Sequence, residues 1–96
     1  MVLGKVVGTV VATRKDEKLQ GAKLLVVRQV DMEINPKEPF AVAVDSVGAG
    51  YGEIVLCVSG SSARLTETTE GMPVDTAIMA IVDSIEVDGK TTYRKH

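Results

Sequence analysis

The chain has 96 residues, 45% of them apolar but only 3% aromatic, and its eleven basic and thirteen acidic side chains leave a net charge of −2. Charges of both signs are interspersed, so there is no electrostatic footprint for a phosphate backbone, and nucleic acid is excluded as an expected partner. No apolar run approaches the roughly 20 residues of a membrane span, and Met1-Val2-Leu3-Gly4-Lys5 lacks the organisation of a signal peptide, so one cytoplasmic domain spanning 1–96, with no membrane contact, is expected.

From Val2 to Ala12 paired valines broken by Gly4 and Gly8 predict a long strand bent at its glycines. The charged run Arg14 to Lys18 ends it as a solvated loop. A second strand is predicted from Lys23 to Val30, and the loop Asn35-Pro36-Lys37-Glu38-Pro39 stops it, because proline lacks a ladder donor. Phe40, Val42 and Val44 then alternate with Ala41, Ala43 and Asp45, a period-two strand with one bulky and one small face; Phe40 reads as buried. Three glycines, Gly48, Gly50 and Gly52, fall within five residues and demand a tight turn or a close backbone approach. Glu53 to Ser59 reads as a buried strand, Ser61 or Ser62 as the cap of a short helical turn through Leu65, and the polar stretch Thr66 to Met72 as an exposed loop. Order restarts at Pro73, Ala77 to Val87 makes the last long strand, and Asp88-Gly89 signals a two-residue hairpin into Thr91-Thr92-Tyr93. Five main strands and little helix predict an all-β domain, a small barrel. A domain of this size buries only about 60 to 65% of its unfolded surface, so oligomerisation would help it.

Catalytic constellations are missing. The glycine-rich run does not follow the G-x-G-x-x-G spacing, since Glu53 stands where the third glycine belongs and a strand follows; its carboxylate would repel phosphate. Cys57, among valines and leucine, reads as a buried thiol, and neither it nor Ser59 to Ser62 has an imidazole partner other than the terminal His96. One cysteine and one histidine supply no metal-ligand cluster. The carboxylates Asp16, Glu17, Glu67, Glu70, Asp75 and Asp83 read mostly as solvated loop charges. No enzyme activity, cofactor or metal is expected. Asp45 and Arg64 read, on residue type, as exposed charges of little energetic weight. Tyr51 reads as a surface or an interface aromatic.

Gly8-Thr9-Val10-Val11, Leu24 to Val27, Asp45 to Glu53, Ser59 to Arg64, Pro73-Val74-Asp75 and Ala80 to Asp83, in this order and spacing, resemble the pentameric vertex proteins of bacterial microcompartment shells, the EutN/CcmL family. The tail Thr91 to Lys95 is similar to that of carboxysomal members. The resemblance implies a five-stranded OB-like β-barrel with a short helical turn and a C-terminal hairpin. It further implies a homopentameric ring at the five-fold vertices of a polyhedral shell, with hexameric shell proteins as partners. It marks Asp45, Gly48, Ala49, Gly50, Ser61 and Arg64 as subunit-interface candidates, and implies for Asp45 and Arg64 a charge-assisted contact within or between subunits. The competing function for such a barrel is an OB-type module for single-stranded nucleic acid, which needs a basic groove with stacking aromatics; Phe40, Tyr51 and Tyr93 are the only aromatics.

Overall fold

In the computed structural model, which describes residues 1–13, 15–72 and 74–95, five strands close a barrel in the order β1-β2-β3-β5-β4. They are β1 (Val2–Val10), β2 (Leu24–Val30), β3 (Pro36–Asp45), β4 (Ile54–Ser59) and β5 (Thr76–Ile81); β6 (Ser84–Val87) and β7 (Lys90–Arg94) form a separate two-stranded sheet. All barrel pairings are antiparallel except β3 with β5. The predicted all-β class and barrel are borne out. Two 3₁₀ turns, Glu17–Leu19 and Gly60–Arg64, supply the helical content.

The barrel is narrow, and this decides which residues enter it. Its core consists of Val6, Leu25, Val27, Ala43, Ala49, Val55, Cys57 and Ile78, with no aromatic ring among them. On β3 the small face points inward: Ala43 is fully buried, whereas Phe40 is 58% and Val42 51% exposed. The expected burial of Phe40 is therefore corrected, because the space beside Val27 admits an alanine and not a ring. Across the barrel Gly4 meets the same limit, since a Cβ there would overlap Val27 Cγ1. The bend in β1 is a register shift between Val6 and Gly8, an extra residue that sharpens the local twist.

Four more expectations are corrected. Pro36 and Pro39 do not keep the chain out of the sheet, because β3 begins at Pro36, a strand's first residue being a place where a missing donor costs little. The run Ala77 to Val87 is two strands and not one: after β5, Val82 N donates to Ile54 O and the chain leaves the barrel for β6. Ser59, and neither Ser61 nor Ser62, occupies the N-cap position of the second 3₁₀ turn, and its side chain makes no capping bond. Thr69 in the polar loop is fully buried, its hydroxyl bonded to that of Thr66 at 2.6 Å. In the charged run, Asp16 caps the first 3₁₀ turn by accepting from Lys18 N at 2.9 Å. Expectations for Arg14, Pro73 and His96 lie outside the described residues.

The hairpin signal is met. Asp88 and Gly89 both have positive φ, 51° and 79°, as a type I′ turn requires.

Candidate functional site

The glycine-rich segment joins β3 to β4 and is stitched to β1. Gly52 N donates to Val6 O at 2.8 Å and Val6 N to Glu53 O at 3.0 Å, both next to the β1 bulge. Gly48 and Gly52 have φ of 78° and 84°, the left-handed region that a side chain makes costly, and a Cβ at Gly48 would meet nothing within 4 Å. Gly50 lacks a positive φ, and a Cβ there would make only ordinary contact with Glu53 Oε1 at 3.5 Å. Ala49 between them is fully buried in the subunit's own core. Its part in any interface thus falls to the backbone around it.

Asp45 ends β3 with only 7% of its surface exposed. Its Oδ1 accepts from Val47 N at 3.0 Å, and its Oδ2 lies 3.4 Å from Lys23 Nζ. Lys23 also donates to Ala49 O at 2.8 Å, so one ammonium ties the start of β2 to both arms of the turn. Asp45 is therefore not an exposed turn charge; the contact within the subunit is the reading met here. Arg64 is exposed, and its Nη1 donates to Val74 O at 3.0 Å. Ser61 is exposed on the same 3₁₀ turn, whose Ala63 packs on Val58 and Ala77. The six candidates form two groups flanking β5: Asp45 pairs with Ile78, and Ser59, leading into the 3₁₀ turn, pairs with Thr76.

Glu53, Lys23 and Lys95 organise the site without having been singled out for it. Glu53 Oε1 accepts from Gly50 N at 2.6 Å, and its Oε2 accepts from Lys95 Nζ, anchoring the base of the β6–β7 hairpin to the turn. The Lys95 ammonium, then the Gly50 amide, hold the Glu53 carboxyl below its ordinary value, while Glu53 raises Lys95. Glu three residues after a turn glycine was the available signal for the first bond; the Lys95 contact spans too much chain for any local pattern to show.

The sign of the pH dependence follows. A carboxyl whose pKa is depressed on folding stabilises the fold above its unfolded value, near 4.5, and that contribution disappears as pH falls through the folded value. In urea melts between pH 7 and pH 3, the wild type is expected to lose its advantage over Glu53→Gln below about pH 4.5. Equal midpoints at pH 7 would contradict the anchoring role of Glu53.

Among the described residues no group of three His, Cys, Asp or Glu could hold a metal ion. Burial pushes the Cys57 thiol up to about 11, the opposite of what a nucleophile needs. Asp31 accepts from Glu33 N and Asn35 N within its own loop, which lowers its pKa. Tyr51 is 83% exposed at the tip of the glycine-rich turn.

Comparison with known proteins gives consistent likenesses. The family model described as ethanolamine utilisation protein EutN/carboxysome matches residues 1–83. The carboxysome shell vertex protein CcmL of a Nostoc species is 48% identical over 99% of this chain and 95% of its own length. Its solved structure superposes with a TM-score of 0.95, covering 99% of this chain and all of that one. The bacterial microcompartment shell vertex protein EutN of Salmonella typhimurium is 45% identical over 99% of this chain and 96% of its own. GrpN of Rhodospirillum rubrum, a pentameric microcompartment shell protein, has a structure that is 48% identical with a TM-score of 0.83, covering 91% of this chain and 99% of that one. The β6–β7 hairpin lies beyond the residues matched by the family model.

Proposed function

The chain belongs to the EutN/CcmL family, and from that premise we propose that it is a structural subunit of a bacterial microcompartment shell, five copies of which form a ring at each five-fold vertex. The observation that carries the reading is likeness over nearly the whole chain to shell vertex proteins, one of them pentameric, at close to half identity. The protein is not an enzyme; its task is geometric. A hexagonal layer of tiles is flat and closes into a polyhedron only where five-fold units replace six-fold ones. A cyclic ring repeats one heterologous contact until the rotation closes, and the whole of 1–96 serves as one vertex domain. The turn carrying Asp45, Gly48, Ala49 and Gly50, together with Ser61 and Arg64 on the 3₁₀ turn, supplies ring contacts. In support, Gly48 has open space around it, and Lys23 and Glu53 hold the turn rigid within each subunit.

Hexameric shell proteins are the further partners in this reading, engaged through the rim of the ring by many weak contacts that multivalency makes durable. The single-stranded nucleic-acid alternative gains no observation. Phe40 is exposed, but Arg28 already lies over its ring, 5.0 Å from the centroid, so one of the two faces a base would stack on is occupied. In a strain lacking the gene, electron microscopy is expected to show tiles and cargo present but shells open or elongated. Closed polyhedra of normal size, with no second vertex-type protein to substitute, would overturn the vertex role.

A further inference from the structure

The two ends of the barrel are finished differently. Every second residue of a strand points inward, and Val6, Leu25, Ala43, Val55 and Ile78, one from each strand, are all buried to 3% exposure or less. Beyond them at one end Ala49 of the glycine-rich segment enters the core, with Ile81 packed against it. Two residues along each strand in the other direction, the inward positions are Gly4, Val27, Ala41, Cys57 and Thr76. Gly4 has no side chain, Ala41 a methyl and Cys57 a thiol, so the filling thins out towards that end.

The consequence is a cavity of about 150 Å³ lined from all five barrel strands. Val27 and Cys57, 4% and 2% exposed, stand at its inner part, and Gln29 and Ser59, the next inward positions of β2 and β4, lie further out. Three features narrow what it fits. A hollow of about 150 Å³ is the size that holds benzene or xenon in a protein interior, and is too small for a peptide segment or a nucleotide. None of the described residues lining it is charged, although charged residues make up 25% of the chain, so an ion would enter unpaired at a high desolvation cost. Its polar groups are neutral: the Gln29 amide and the hydroxyls of Ser59 and Thr76, which are paired residues of β4 and β5. The Ser59 hydroxyl is not used in capping the 3₁₀ turn that follows it.

We propose that this end of the barrel is a binding site for one small neutral molecule with an apolar body of about benzene size and a hydrogen-bonding group such as an alcohol. The apolar body sits against Val27, Ala41 and Cys57, and the polar group meets the Gln29 amide or the Ser59 and Thr76 hydroxyls. An apolar hollow with a few convergent polar groups in the mouth of a barrel is a common form of small-molecule site. The site lies within one subunit and does not depend on how many copies assemble.

Methyl-resolved NMR titration of the assembled protein with benzyl alcohol tests this, with benzoate as a charged counterpart of similar size. The Val2, Leu3 and Val27 methyls, which line the cavity, are expected to shift saturably, with a midpoint of about 1 mM or below for a ligand of this size. The Val10 and Ile81 methyls, outside the lining, are expected to stay in place. Benzoate is expected to leave all of them unchanged. Ala41→Leu, which fills the hollow from β3, is expected to weaken benzyl alcohol binding at least about tenfold without lowering the urea midpoint. Shifts that do not saturate, equal binding of benzoate, or an Ala41→Leu variant that binds as the wild type does would overturn the proposal. Should Ala41→Leu not fold, the comparison of benzyl alcohol with benzoate on the wild type decides.

Discussion

Gly4→Val is expected to remove on the order of 3 kcal/mol or more of folding stability, a large share of what a small domain of this kind has. Gly4 pairs with Gln29 across the β1–β2 ladder and faces the core. A Cβ placed there overlaps Val27 Cγ1 and stands 3.3 Å from Arg28 O. The β-branched Val27 must shift to make room, and the Arg28 carbonyl belongs to a ladder that cannot move without breaking its pairs. Gly8→Ala is the internal control: a Cβ at Gly8 finds Val26 atoms at 3.6 and 3.7 Å, ordinary contact, and φ is not positive. Its urea midpoint is expected to stay near that of the wild type. Because subunit association adds to apparent stability, the variants are compared at one protein concentration. An unchanged midpoint for Gly4→Val would mean that the interior is less tightly packed than the structure has it.

The barrel was legible in the sequence because its signals are local. Paired valines, the period-two run through Val44 and the Asp88-Gly89 dipeptide each fold as their residue types dictate. What escaped depends on how strands close on one another. The alternation of Phe40 and Val42 with Ala41 and Ala43 announces two faces but not which one points inward; only the width of a five-stranded interior, set by Gly4 and Val27 on other strands, chooses the alanines. Likewise the apolar run from Ala77 to Val87 looks continuous, and the point at which it leaves the barrel is set by where β4 begins and Ile54 O takes the Val82 amide.

The candidate site divides in the same way. Gly48 and Gly52 could be read from the sequence as turn positions, and both adopt the positive φ that such a turn requires. The burial of Asp45 could not, because its partner Lys23 comes from the start of a different strand and is placed only once β2 and β3 are in register. Family resemblance drew attention to this loop without naming the lysine that holds it.

Native mass spectrometry of the purified protein tests the central claim most directly. Five copies of a 10.2 kDa chain make a ring of about 51 kDa. At micromolar concentration and moderate salt, that species is expected to dominate, with subunits released only at dilution or on activation. A stable monomer under those conditions, or a ring of any other number, would contradict the account, since only a five-fold unit closes a hexagonal shell at its vertices.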